Sequence, residues 1–346
     1  MLPPWSVVFG IAFGAAIGSF LNVLIYRLPA GLSIVHPPSH CPNCKTRLTA
    51  LDLFPILSYL VQQGRCRHCR ASIPVRYLLV EIVNAAIWAW FWHLHLVQGE
   101  SWVAFLGLSA FCSCLLALSM IDLRWFIIPD ELNAAALIIG LLVAGFASRL
   151  ATPWDWAEPG RLSLSNALIG ATVGAGIFVF ISLLGRIAFR KDAMGHGDIK
   201  LARAIGACLM APAAVVSFGL AVMLGLVFGV VGMIYARLHP AIDTSEELES
   251  YVPESIASLF FFSILYLLWL DVLYLFLPGA IKRRIDEWLE RTFGSTQSEE
   301  LDDEPPQVGA IPFGPSMALG AILTLIFANP LASLVRAYLD NITGGP

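Results

Sequence analysis

The sequence predicts an all-α protein, a polytopic transmembrane bundle of about eight core helices, on three observations. Of its 346 residues, 58% are hydrophobic and only 13% charged, whereas a soluble domain carries about 25% charged residues. The mean hydropathy is +0.75, and apolar runs of the roughly 20 residues needed to cross a bilayer recur along the chain. Lys and Arg gather in alternate connections between those runs, the pattern that the positive-inside rule gives a multi-pass protein.

The runs are Trp5–Tyr26, Tyr77–Leu96, Trp102–Ile121, Ile128–Ala147, Leu164–Phe189, Ala213–Ala236, Ile256–Leu277 and Ser316–Leu339. Ile199–Met210 is shorter and adds a further candidate only if Asp198 and its neighbours are drawn towards the membrane. The region Met1–Ser6 has no positive charge, and the first run continues to about Tyr26 without an Ala-x-Ala-like exit. It therefore reads as a retained helix and not as a cleaved signal.

With the N-terminus outside, the loop Arg27–Arg76 faces the cytosol with Arg27, Lys45, Arg47, Arg65, Arg67, Arg70 and Arg76. Arg124, Arg186, Arg190, Lys191, Lys200, Arg203 and Arg237 fall on the same side, against Arg149 and Arg161 outside. That orientation puts Asp122 and Asp198 at the same cytosolic face. The net charge of −4 is near neutral and says nothing about nucleic acid, but no basic tract has the density expected of a nucleic-acid site. The lipid bilayer is the first partner the composition implies.

Between Leu238 and Val308 the character changes. An acidic linker (Asp243, Glu246, Glu247, Glu249) leads into Ile256–Leu277, then Lys282-Arg283-Arg284. Ile281, Ile285, Trp288 and Leu289 follow at helical spacing, the pattern of an amphipathic helix on a membrane surface. Ser295–Gln307 is polar and acidic and ends in two prolines, which reads as a linker. The length of Ile256–Leu277 argues for a span, yet a full crossing would carry Lys282–Arg284 outside. A re-entrant or surface-docked segment would keep them inside. The chain thus divides into 1–26, a first helix; 27–76, a cytosolic loop; 77–237, a transmembrane core; 238–308, an inserted segment; and 309–346, a final helix.

Cys41-Pro-Asn-Cys44 and Cys66-Arg-His-Cys69 lie in the cytosolic loop. Thiolates two residues apart on a tight turn can share one ion, and two such turns complete a tetrahedral S4 shell. Four soft ligands favour a structural zinc, and a closed shell leaves no open position for catalysis. Redox chemistry would need only one pair. Cys112, Cys114 and Cys208 stand in apolar runs and read as packing residues.

The acidic residues in or beside apolar runs near the cytosolic face are Glu81, Asp122, Asp130 and Asp198. Asp130 follows Pro129 at a helix start and reads as a cap. Asp122 closes its run at a helix C-terminus, against the dipole. Asp198 follows Met194-Gly195-His196-Gly197, two glycines that let another backbone come close, ahead of Lys200. Asp198 is either the N-cap of the next helix or a functional carboxylate. Two carboxylates in a poorly solvated site share a proton, so one can activate water while the other donates to an oxyanion. Ion passage, or pairing with Arg124 or Lys200, are the other uses of two inward Asp.

At this point the chain resembles the bacterial prepilin peptidases, membrane aspartyl proteases of the GxGD kind. The markers stand in order: Gly18 to Pro29 (GSFLNVLIYRLP), the two CxxC pairs, Arg76 to Glu81 (RYLLVE), Asp122 with Pro129-Asp130, Gly195 to Leu201 (GHGDIKL), and Pro312-Phe-Gly-Pro315. The resemblance implies a catalytic pair, Asp122 and Asp198, in an active-site loop with Gly195, Gly197 and Lys200. It also implies that Cys41, Cys44, Cys66 and Cys69 are metal ligands. The substrates would be prepilins or pseudopilins of type IV pilus and type II secretion systems, cut on the cytosolic face after the glycine before their hydrophobic helix. The new N-terminus would then be methylated from S-adenosylmethionine, because the cysteine loop accompanies the bifunctional form. Asn22 and Glu81 serve either packing and capping or the active site and methyl donor. Two departures stand out: Asp52-Leu-Phe-Pro55 where the family usually shows Asp-Asn-Ile-Pro, and the insertion Leu238–Val308. The rival reading is a transporter or assembly scaffold whose zinc loop binds a partner and whose Asp pair passes ions.

Overall fold

The computed structural model describes residues 2–99, 101–146, 163–190, 194–238, 255–293 and 312–343. The expected linkers around Asp243–Glu249 and Ser295–Gln307, and the flanking charges Arg149, Arg161 and Lys191, lie outside the described residues. The helices are α1 (Val7–Arg27), α2 (Leu57–Val61), α3 (Val75–Trp92), α4 (Trp102–Trp125), α5 (Asp130–Phe146) and α6 (Leu164–Phe189). They continue as α7 (His196–Leu238), α8 (Ile256–Leu267), α9 (Leu270–Leu275), α10 (Gly279–Phe293), α11 (Gly314–Ile326) and α12 (Ala328–Thr343). Among the described residues there is no strand, and the fold is all-α as expected. Among the described residues five helices are long and apolar enough to cross a membrane, six if α11 and α12 count as one bent span. Large apolar side chains such as Phe9, Leu142, Phe180 and Leu226 point outward, as a lipid-facing surface requires.

The first half of the bundle is held by small residues and a buried polar chain. Gly10, Gly14 and Gly18 recur every four residues on α1, and a Cβ at any of them would strike α3. This close approach is the small-residue packing that replaces the hydrophobic effect inside lipid. Trp88 Nε1 donates to Ser113 Oγ at 2.9 Å, Ser113 Oγ to Asn84 Oδ1 at 2.7 Å, and Asn84 Nδ2 to the Gly14 carbonyl at 2.7 Å. The chain ties α1, α3 and α4 together with each group satisfied, since a bare polar atom here would cost several kcal/mol, on the order of 2–7.

α7 is two helices. Met210 has φ 61° and ψ 169°, outside the helical region, and Pro212 follows. Gly174 on α6 packs on Ala202, ahead of the break, while Phe178, one turn on, lies 5.0 Å from the Phe218 ring, after it. Residues sixteen apart would be about 24 Å apart on a straight helix, so the chain turns back at Met210. The sequence separated Ile199–Met210 from Ala213–Ala236 at this point.

Two of the expected apolar runs are broken. Ile256–Leu277 divides into α8, of 12 residues, and α9, of 6 residues, across Trp269 at φ 64°. A 12-residue helix rises only about 18 Å, short of the roughly 30 Å hydrocarbon core. The run is therefore not one continuous membrane-spanning helix. Ser316–Leu339 bends by 90° between α11 and α12, so the expected single final helix is replaced by an apolar α11 and an amphipathic α12 with Leu334 and Tyr338 exposed.

Candidate active site and metal centre

Asp122 lies in the last turn of α4 and is 5% exposed. Its Oδ2 accepts from the Gly314 backbone N–H at 3.0 Å. Gly314 opens α11, and Pro315 behind it has no N–H to offer. The positive end of α11 therefore faces a carboxylate that its own helix end disfavours. A Cβ on Gly314 would run into the Asp122 carboxylate, so the contact requires glycine. Asp198, half-buried at the start of α7, accepts from the Gly195 backbone N–H and lies within electrostatic reach of Asp122.

Ile128 sets the spacing between these segments. A Cβ at Gly197 would meet Ile128 Cβ at 2.9 Å, and one at Gly314 would meet Ile128 Cδ1 at 3.4 Å. The α4–α5 turn, the GHGD loop and the PFGP turn thus converge around one side chain. The sequence had marked all three motifs but gave no role to Ile128 or to the N–H of Gly314. A helix-start signal at Gly314-Pro315 was the available clue.

Lys200 does not serve either carboxylate. Its Nζ donates to Asp130 Oδ1 and Oδ2 at 2.7 and 2.9 Å, so Asp130 is an ion-pair partner at the start of α5. Arg124 stacks over Trp125 at 4.7 Å. Among the described residues neither Asp122 nor Asp198 has an ion-pair partner. Asn22 Nδ2 donates to the Tyr77 carbonyl at 3.1 Å, and Glu81 Oε2 accepts from Ile56 N–H at 2.7 Å. Both polar groups tie helices and loop together.

The sulfurs of Cys41, Cys44, Cys66 and Cys69 all lie within 4.8 Å of one another. Cys41 Sγ and Cys69 Sγ are 3.8 Å apart, close to the ~3.8 Å edge of a tetrahedron with metal–sulfur bonds of ~2.3 Å. The two turns share one backbone frame. Lys45 N–H donates to Cys41 O and Cys41 N–H to Thr46 O, while Arg70 N–H donates to Cys66 O and Cys66 N–H to Ala71 O. Lys45 and Arg70 occupy the same place in each turn with φ of 56° and 61°. The Thr46 hydroxyl, then its backbone N–H, push the Cys44 thiol down to about 6. The backbone N–H groups of Cys69 and His68 lower Cys66. These two thiols ionise readily, as suits metal ligands. Cys41 is raised instead, the lowering by the Cys44 backbone N–H being outweighed by burial and its sulfur neighbours. The donor set fits zinc.

Two family models match the chain: the Bacterial Peptidase A24 N-terminal domain over residues 12–95 and the Type IV leader peptidase family over residues 109–230. A prepilin leader peptidase/N-methyltransferase of Myxococcus xanthus is 30% identical over 349 residues, covering 99% of this chain and 96% of the relative. A type 4 prepilin-like proteins leader peptide-processing enzyme of Escherichia coli is 35% identical over 211 residues, 56% of this chain and 73% of the relative. A prepilin leader peptidase/N-methyltransferase of Aeromonas salmonicida is 33% identical over 264 residues, 68% and 84% respectively. No solved structure matches the chain.

Proposed function

The chain belongs to the type IV leader peptidase family, and from that premise we propose that Asp122 and Asp198 are its catalytic pair. The observation that supports the reading is that two carboxylates from separate helices lie within electrostatic reach of each other, with a backbone N–H on Asp122 and, among the described residues, no ion-pair partner on either. The enzyme is a prepilin peptidase and N-methyltransferase.

In the proposed reaction one carboxylate takes a proton from a water whose oxygen attacks the scissile carbonyl. The protonated partner donates to the oxygen that becomes negative. The tetrahedral intermediate then collapses, the C–N bond breaks, and a carboxyl proton passes to the leaving amine. The Gly314 N–H holds Asp122 in place throughout. Gly195 and Gly197 leave room for an extended substrate backbone beside Asp198.

The cut falls after the glycine preceding the hydrophobic helix of a prepilin or pseudopilin, at the cytosolic face of the inner membrane. The charge asymmetry of the loops supports that orientation. S-adenosylmethionine supplies the methyl group for the new N-terminus, and the four cysteines hold a structural zinc that orders the loop over residues 41–72.

The test is cleavage of a prepilin-type substrate by the purified protein in detergent, with S-adenosylmethionine present and mass spectrometry on the new N-terminus. Wild type should cut and methylate, while Asp122→Asn and Asp198→Asn should remain folded and cut neither. If both variants still cut, the catalytic assignment is wrong. Asp-dependent ion flux without proteolysis would replace it with the transporter reading.

A further inference from the structure

The inserted region lies beyond both matched family models, yet part of it grips the start of α7. Tyr266, at the end of α8, is 5% exposed. Its ring centroid is 5.5 Å from that of His196, the central residue of the GHGD loop, and the Phe262 ring stands 5.5 Å from the same imidazole. Lys200 Nζ lies 5.0 Å over the Tyr266 ring while it holds Asp130. One turn further on, Arg203 is 2% exposed. Its Nη1 donates to the Tyr266 carbonyl at 2.7 Å and to Asp271 Oδ1 at 2.7 Å, and its Nη2 donates to Asp271 Oδ2 at 2.6 Å.

His196, Lys200 and Arg203 are spaced i, i+4 and i+7, so they share one face of a helix turning about 100° per residue. Asp198 falls about half a turn away, on the opposite face, where Asp122 lies. The helix therefore presents its carboxylate on one side and is clamped on the other. Such a clamp has a purpose at this place. Gly195 and Gly197 flank His196, and glycine leaves a helix start conformationally loose. A catalytic group displaced by about 1 Å can lose on the order of 10²-fold in rate.

We infer that α8 and α9 form a clamp that positions Asp198 for peptide cleavage, with Tyr266 and Asp271 as its positioning residues. Tyr266 fixes the GHGD loop through His196 and Lys200. Asp271 fixes the next turn through a bidentate pair with a buried guanidinium, a geometry that only Arg offers. The inference rests on the reading of Asp198 as catalytic.

The experiment measures kcat and KM for a prepilin-type substrate with the full-length protein in detergent, beside thermal melting and zinc content. Tyr266→Leu keeps most of the buried apolar volume but removes the ring face from His196 and Lys200. It should fold, and kcat should fall about 10- to 100-fold with KM shifted less than about 3-fold. Asp271→Asn should show the same split, Tyr266→Phe should restore the rate, and Trp288→Ala on α10 should leave it unchanged. Asp198→Asn runs in parallel. If it still cuts, the catalytic reading has failed and the clamp with it. If it is inactive while folded Tyr266→Leu turns over like wild type, the clamp alone is overturned. A rise in KM at unchanged kcat also overturns it, because the segment would then bind substrate and not position Asp198. Should Asp271→Asn fail to fold, Tyr266→Leu and its Phe rescue decide the question.

Discussion

The cysteine loop closes its shell across 28 positions of chain, with each half held by its own backbone hydrogen bonds. The carboxylate pair needs Asp122 from α4, Asp198 from α7, and a backbone N–H that lies 192 positions from Asp122. One site is local and polar, four sulfurs placed where they could share an ion. The other exists only when distant helices pack. The contrast teaches that the two should fail separately: damage to the loop costs order, whereas damage at the carboxylates costs chemistry.

The largest effect should come from the carboxylates themselves. Asp122→Asn and Asp198→Asn should each lower kcat by about 10²- to 10⁴-fold, the range for removing a general acid or base. Zinc content, read by elemental mass spectrometry, should stay at the wild-type level. Joint loss of zinc and activity in either variant would show that the two regions are coupled and would break the contrast.

Next comes the backbone contact on Asp122. Gly314→Ala places a methyl against the Asp122 carboxylate, which must turn from its position beside Asp198. We expect kcat to fall on the order of 10²-fold with little change in KM. An unchanged rate would mean that the Gly314 N–H is a structural bond only.

A smaller effect on catalysis is expected from the loop. Cys66→Ser, or treatment with a strong chelator, should release zinc and open residues 41–72 to proteolysis, because structural zinc supplies the folding energy of such small units. Cleavage by the bundle should drop less than about 10-fold, since the carboxylates stand on α4 and α7, outside the loop. Limited proteolysis and substrate cleavage measured on the same sample check both halves of that statement.

The same contrast decides what the sequence disclosed. The four cysteines were legible because their spacing alone builds two knuckles, and the structure repeats one hydrogen-bond frame around each. The helices were legible because lipid demands about 20 apolar residues in a row, and even the break at Met210 fell between two separate runs. The carboxylates were marked by their motifs, but their partners were not. Ile128, Gly314 and Asp271 act through contacts between remote segments, and no local pattern announces those. The run Ser316–Leu339 misled for a related reason, which also bears on Ile256–Leu277, whose crossing the sequence left open. Hydropathy measures length in residues, whereas Trp269, in a left-handed conformation, and the 90° bend between α11 and α12 divide that length among shorter helices. Lys200 was grouped with the active-site loop by the resemblance, yet it stands about half a helical turn from Asp198 and pairs with Asp130.

The smallest effect tests the loop without touching its ligands. Asp52 Oδ2 accepts from the Thr49 hydroxyl at 2.6 Å and from the Thr49 backbone N–H at 3.0 Å, and Gln62 Nε2 reaches Oδ1 at 3.3 Å. The Thr49 hydroxyl first, then its backbone N–H and the charge of Arg67, hold this carboxyl below the usual range. Arg67 stands 3.7 Å away and is half exposed, so water screens it and the hydrogen bonds carry most of the effect. Asp52→Asn should destabilise the loop by about 1 kcal/mol, visible as faster proteolysis of residues 41–72 with unchanged cleavage of substrate. Because folding lowers the pKa of Asp52, its contribution is complete above the ordinary carboxylate value of about 4. It disappears as pH falls through the lower folded value. The gap between wild type and Asp52→Asn should therefore be constant from about pH 8 to 5 and close only below about pH 4. Both proteins lose metal alike in acid, so their difference reports Asp52. A gap that already closed near neutral pH would mean that the loop depends on its thiolates and not on this cap.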